Sequence, residues 1–260
     1  MKVSIVIPAH NEEKRIRKTL EEYLSFFNNL KEKEVLDYEI IVVLNACVDN
    51  TKQIVERFNC EELIILDFEQ GGKGFAVVEG FKNALMRNND LIGFIDADNA
   101  TSPKAFYDLI KGIRNYDGII ANRWDKKSTI SPKQTLFRRF IGRVFNFVVR
   151  SLFIFQHQDT QCGAKLFNRR VIEKIYPELG NSEWSFDVDL LYYGKYFGFK
   201  IKSIYTEWHD KKGSKVSKKT PGRMFFSVVR LRLVHSPFDF ILKFHQKLPR
   251  KLQVGYWFGR

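Results

Sequence analysis

The sequence predicts an α/β fold in which a mostly parallel sheet is flanked by helices, with amphipathic helices at the C-terminal end. Two patterns carry that expectation. Short runs rich in Val, Ile and Leu alternate with helix-length segments through the first half, as βαβ units require. Polar and acidic residues directly follow several of these runs, where an open α/β sheet binds its ligands. A hydrophobic content of 44% over 260 residues also allows one large domain or two small ones with a full core.

In chain order, strands are expected at 3–7 (VSIVI), 39–44 (EIIVVL), 62–66 (ELIIL), 91–96 (LIGFID) and 118–122 (GIIAN). Helices are expected between them at 12–29, 50–58, 73–87 and 102–115. The last has a clear start, Ser102 as N-cap with Pro103 in the first helical position. The second half reads less regularly. A long amphipathic segment (132–155) precedes the polar stretch DTQCGAKLFN (159–168), a helix at 185–197 and a strand-like run at 200–208. In the basic tail, Ser236-Pro237-Phe238-Asp239 resembles a further helix start, so two helices are expected to meet there. The division anticipated is a catalytic domain over 1–215 and a basic, membrane-associating tail over 216–260.

Charge is distributed unevenly. Residues 1–199 carry 28 Lys/Arg against 27 Asp/Glu, whereas residues 200–260 carry 15 against 3, so +12 of the net +13 lies in the last quarter. Basic residues there alternate with large apolar ones, a composition suited to an anionic membrane surface. A nucleic-acid-binding module is the rival reading from another class. It has no aromatic recognition motif to support it, and no nucleic-acid partner is expected. Cys47, Cys60 and Cys162 form neither a disulfide framework nor a zinc pattern, and suit a reducing compartment. No secretory signal and no run of about 18–20 apolar residues is visible, so the expected location is cytoplasmic, peripheral on the inner face of the membrane.

The loops after the strands carry the chemistry. PAHNEE (8–13), NACVDNT (45–51) and DADNAT (96–101) follow three of the predicted strands and should converge on one crevice. That convergence is expected to bring Asp49, Asp96 and Asp98 together, and crowded carboxylates need a cation. Hard oxygen ligands with no Cys or His cluster favour Mg2+ or Mn2+ bridging substrate phosphates, with Asp96 and Asp98 as the metal ligands. Gly71-Gly72-Lys73-Gly74 opens a helix and could meet a phosphate, but it has neither P-loop nor dinucleotide-fold spacing.

In their order, VSIVIPAHNEE, GGKGFAVVEG (71–80), DADNAT, ANRW (121–124), DTQCGAKLFNR (159–169), WSFDVDLLYY (184–193) and EWHDKKGSKV (207–216) resemble family 2 glycosyltransferases of the GT-A fold. The second half is most similar to the dolichyl-phosphate β-glucosyltransferase branch and less so to dolichol-phosphate mannose synthases. The resemblance implies an inverting, metal-dependent transfer of one hexose from a UDP- or GDP-sugar onto a polyprenyl or dolichyl phosphate, leaning toward UDP-glucose. It places Pro8, Ala9, Asn11, Glu12, Asn45, Asp49, Lys73, Gly74, Asp96 and Ala97 at the nucleotide, with Asp49 near the base and Lys73 near base or ribose. Where many relatives carry an acidic pair in VDDGS, this chain has Leu44-Asn45-Ala46.

An anionic lipid-phosphate acceptor needs no general base. It needs cations, and the planar arginine fork matches phosphate oxygens. Arg123 follows the fifth strand, and Arg139, Arg143 and Arg150 fall on one helical face beside Phe140, Val144, Phe147 and Val148. Arg139, Arg143 and Gln161 are expected at the acceptor phosphate. Arg123, Asp98, Asp187 and Lys215 are expected in the catalytic machinery, Lys215 as the family's tail cation folding over the diphosphate. Asp187 is expected to contact a sugar hydroxyl or an arginine. With a soluble hydroxyl acceptor, the alternative, it becomes the base.

Overall fold

The computed structural model describes residues 1–132, 136–179, 186–209, 220–234 and Ser236. Seven strands form one sheet in the order β3-β2-β1-β4-β7-β5-β8, comprising β1 (Lys2–Ala9), β2 (Asp37–Asn45), β3 (Leu63–Phe68), β4 (Leu91–Ile95), β5 (Gly118–Asn122), β7 (Ala164–Asn168) and β8 (Ile201–Tyr205). All neighbours pair in parallel except β7, which is antiparallel to both β4 and β5. A parallel two-stranded ribbon, β6 (Thr129–Ser131) with β9 (Glu207–His209), stands apart from it.

Residues with period two divide the core between the two faces of the sheet. Val3, Ile5 and Ile7 of β1, with Ile40, Val42 and Leu44 of β2, pack under α1 (Ile16–Glu32), which presents Leu20, Tyr23 and Phe27, and under α4 (Pro103–Gly112). The intervening Val6, Ile41 and Val43 face α3 (Lys73–Leu85), which contributes Ala76, Val77 and Phe81. Beyond α3 on that side lie α6 (Arg169–Ile175) and α7 (Phe186–Tyr196), while α2 (Thr51–Glu56) is a short crossover helix. The expected start of α4 is present: Ser102 accepts a hydrogen bond from the Ala105 amide at 3.2 Å, with Pro103 in the first turn.

Two features differ from the sequence reading. The stretch 159–168, read only as polar, contains the antiparallel strand β7, with Gln161 and Cys162 just ahead of it. The run at 200–208 is two strands, because Thr206 interrupts the ladder between β8 and β9. The long amphipathic segment is α5 (Leu136–Phe153), and the tail begins with α8 (Thr220–Val234). Val228 and Leu231 of α8 are buried in the same core as Val149 and Phe153 of α5. The first helix of the basic segment is therefore packed onto the domain. The division anticipated at 215, and the helix start after Ser236, lie outside the described residues. Among the described residues no helix is long and apolar enough to cross a membrane.

Candidate active site

Three loops leave the carboxyl ends of β1, β2 and β4, and each contains a non-glycine residue in the left-handed region: Asn11 (φ 54°), Ala46 (φ 49°) and Asn99 (φ 56°). Such conformations cost of order 1–3 kcal/mol each and collect where a site dictates the backbone. The first two loops are sewn together. Asn11 Oδ1 accepts from the Val48 amide (2.8 Å), Thr51 Oγ1 from the Glu12 amide (2.7 Å), and His10 Nδ1 lies 2.7 Å from the Asn45 carbonyl.

Asp49 belongs to this stitching. Its carboxylate accepts from the Thr51 amide and hydroxyl and from the Glu13 amide. The expected trio of Asp49, Asp96 and Asp98 is not formed, and among the described residues no group of three His, Cys, Asp or Glu side chains is placed to hold a metal ion. Local hydrogen bonding fixes Asp49 two residues from its own helix start, where it satisfies otherwise orphaned amides. Pro8, Ala9, Asn45, Gly74 and Ala97 are buried at the strand ends or at the start of α3, so they shape the crevice wall chiefly through backbone.

Asp96 and Asp98 do lie together, each facing a cation. Arg15 grips Glu12 with both oxygens at 2.6 Å and approaches Asp98 Oδ2 at 3.8 Å. Asp98 also accepts from the Ala100 amide at 3.0 Å. Burial, with the neighbouring Asp96 charge, raises the Asp98 carboxyl above its ordinary range despite that amide and Arg15. Lys73, in the first turn of α3 after Gly72 (φ 123°), pairs with Asp96 Oδ1 at 2.7 Å and lies 3.9 Å from Asp187 Oδ2. Asp187 is held from the other side by Lys165, which is 0% exposed and also donates to the Cys162 carbonyl at 2.7 Å. Burial alone would raise the Asp187 carboxyl, but the ammonium groups of Lys165 and Lys73 outweigh it and hold the group below the usual carboxylate range. The contact expected from an arginine is thus supplied by two lysines.

Arg123 does reach the crevice side of β5, but its fork is engaged by the buried Asp159, Nε to Oδ2 at 2.7 Å and Nη2 to Oδ1 at 2.9 Å. Its guanidinium stacks 5.0 Å over Trp208. Gln161 is anchored through its amide to Asp159 Oδ1 at 3.3 Å. Cys162 is buried with its thiol pushed up to about 12 by desolvation, a packed rather than reactive group. Arg139 and Arg143 are exposed on α5, and among the described residues no carboxylate pairs with either. Arg150 has turned away toward the Phe155 carbonyl at 3.5 Å. Lys215 lies outside the described residues.

Lys165, Asp159 and Arg15 were not singled out from the sequence. Lys165 had a signal, a single lysine inside the apolar AKLF. Arg15 had another, its spacing of three from Glu12 at a helix start.

A family profile described as Glycosyl transferase family 2 matches residues 4–176. The chain is 34% identical over 244 residues to a dolichyl-phosphate beta-glucosyltransferase of Saccharomyces cerevisiae, covering 83% of this chain and 69% of the relative. It is 30% identical over 243 residues to a dolichyl-phosphate beta-glucosyltransferase of Dictyostelium discoideum, with 88% and 73% covered. Among solved structures, glucosyl-3-phosphoglycerate synthase from Mycobacterium tuberculosis in complex with Mn2+, UDP-glucose and glycerol 3-phosphate aligns with a TM-score of 0.62 at 16% identity, covering 90% of this chain and 79% of that one. That likeness shows a shared GT-A-like fold. With the acidic pair after β4, the lysine at the head of α3 and the match over two thirds of its length, the chain belongs to glycosyl transferase family 2 and is a nucleotide-sugar glycosyltransferase.

Proposed function

We propose that the protein transfers glucose from UDP-glucose, with inversion, onto dolichyl or another polyprenyl phosphate at the cytoplasmic face of a membrane. The observation that carries the reading is the similarity, at 30–34% identity over more than four fifths of the chain, to dolichyl-phosphate beta-glucosyltransferases. The state of Asp187 supports a phosphate acceptor. A carboxylate held below its ordinary range by two ammonium groups is a poor general base at neutral pH, and an anionic acceptor requires none. The soluble-hydroxyl alternative would need that base.

The acidic pair suits a divalent cation. Two hard carboxylates are what Mg2+ or Mn2+ takes from a protein when substrate phosphates complete its coordination, and Asp98 is raised by burial and by the neighbouring Asp96 charge. Asp98 and Asp96 would hold the ion, which supplies Lewis-acid relief of charge on the departing diphosphate. The loops bearing Asn11 and Asn45 support the nucleotide. Asp187 accepts hydrogen bonds from sugar hydroxyls while remaining ionised. Arg123, fixed by Asp159 and Trp208, orients the wall of the crevice beside Gln161. Arg139 and Arg143 meet the acceptor phosphate, and the exposed Phe140 and Phe147 of α5, with the basic tail, rest on the lipid surface.

The test is transfer of labelled glucose from UDP-glucose to dolichyl phosphate in detergent, with GDP-mannose as competing donor and glycerol 3-phosphate as a soluble acceptor, each with Mg2+ or Mn2+ and with chelator. Glucolipid formed only from UDP-glucose and divalent ion is the expected result. Exclusive use of GDP-mannose or of the soluble acceptor would replace the reading.

A further inference from the structure

Both oxygens of Asp96 have close neighbours in this structure. Its Oδ1 pairs with Lys73, and its Oδ2 is turned against Gly163, where a Cβ would lie only 1.8 Å away. The second contact follows from register. β4 and β7 pair with Ile95 opposite Ala164, so the next antiparallel pair is Asp96 opposite Gly163. With Oδ2 turned against Gly163, Oδ1 is the oxygen that a cation would have to share with the Lys73 ammonium, although the Asp96 side chain is still 30% exposed.

A second position for the ammonium already exists. Asp187 Oδ2 lies 3.9 Å from Lys73 Nζ, while its Oδ1 is held by Lys165. Lys165 cannot swing, being 0% exposed and tied also to the Cys162 carbonyl. Both ammonium groups lie over the ring of Phe94, at 5.6 and 5.3 Å from its centre. Lys73 is the partly exposed member on a flexible four-carbon stem, so it is the one able to move.

From this geometry we infer that Lys73 is a positioning residue: an internal counter-cation of Asp96 that a divalent ion displaces, with Asp187, fixed by Lys165, receiving the ammonium. The inference rests on the reading of Asp96 and Asp98 as the cation site and goes beyond it by assigning Lys73 to the carboxylates rather than to base or ribose. The exchange keeps both carboxylates compensated, since one positive charge leaves Asp96 for Asp187 as the divalent ion arrives. It also makes the nucleotide-free protein a weak metal binder, because the ion must compete with a charge already in place.

The test is a titration of the nucleotide-free full chain with Mn2+ alone, following free ion by electron paramagnetic resonance. Lys73→Met is expected to bind Mn2+ at least about tenfold more tightly than wild type, the effect of removing the ammonium that competes with the ion for Asp96. In the Asp96→Asn background the same substitution is expected to change little. Unaltered affinity in Lys73→Met overturns the inference. Equal tightening with and without Asp96 overturns it too, since that is a general field effect. Asp187→Asn is expected to weaken Mn2+ binding only while Lys73 is present, and an equal loss in the Lys73→Met background rules out transfer to Asp187. The expected Mn2+ pattern without sugar transfer from any nucleotide sugar would refute the proposed function and uphold this inference, whereas glucose transfer with Mn2+ affinity insensitive to Lys73 would do the reverse.

Discussion

Gly163 is where the antiparallel strand touches the acidic loop, and it tolerates no side chain because the added methyl would overlap Asp96 Oδ2. Gly163→Ala therefore displaces the carboxylate or its loop. Misplacement of a reacting geometry by about 1 Å can cost 10²-fold in rate. A loss of that order in sugar transfer, with far-UV circular dichroism unchanged, is the expected outcome, and near-native turnover would separate Asp96 from the chemistry. Asp159 makes a different prediction, one of stability. Burial would raise its carboxyl, but the Arg123 charge and hydrogen bonds hold it below the ordinary value. A depressed folded value means the pair contributes fully above the unfolded value of about 3.9, and the contribution is lost as pH falls through the folded value. Asp159→Asn leaves the partly buried Arg123 uncompensated, at a cost below the roughly 3–5 kcal/mol of breaking a fully buried pair. Melting temperature should fall at pH 7, and its decline between pH 4 and 2 should be shallower than in wild type. Parallel curves would show that the pair carries no such linkage.

Helix α3 carries Lys73 at its head, and its depth against the sheet is set at Gly80, where a Cβ would lie 2.3 Å from Val6 Cγ1 and 3.2 Å from Val43 Cγ2. Gly80→Val overpacks that contact, and chemical denaturation should register a loss of about 1–3 kcal/mol. An unchanged midpoint would mean the helix can ride outward freely. This packing was legible in outline, since β1 to β5 and α1 to α4 follow apolar periods that sequence displays directly. Ser102 and Pro103 even marked the start of α4. β7 was not legible as an antiparallel insertion, because its inward position is taken by Lys165 and its approach is polar. The burial of Lys165 depends on Asp187, 22 residues away, and that of Asp159 on Arg123, 36 residues away. No local period carries such partnerships. The same holds for Asp49: its position after a strand suggested a third acid for the cation, but Thr51 and Glu13 claimed it.

At the scale of the whole molecule, the basic segment begins with a helix packed beside the exposed aromatic surface of α5. Nearly all of the net +13 comes from residues 200–260, and α8, which opens that segment, packs on α5. On α5, Phe140 and Phe147 are 66% and 70% exposed beside the exposed Arg139 and Arg143. An aromatic stripe flanked by exposed guanidinium groups is expected to insert shallowly at an anionic headgroup boundary. The protein should then sediment with phosphatidylserine-containing vesicles and much less with purely zwitterionic ones. Because each basic residue near such a surface contributes about 1 kcal/mol, screened over a Debye length of about 10 Å at 0.1 M salt, binding should weaken steeply between low and high ionic strength. Substituting Phe140 and Phe147 with Ser should weaken binding at every salt concentration, whereas Arg139→Ala with Arg143→Ala should flatten the salt dependence. If the two double variants reduced binding by the same factor at all ionic strengths, α5 would not be the contacting helix. If neither did, attachment would reside in the tail alone.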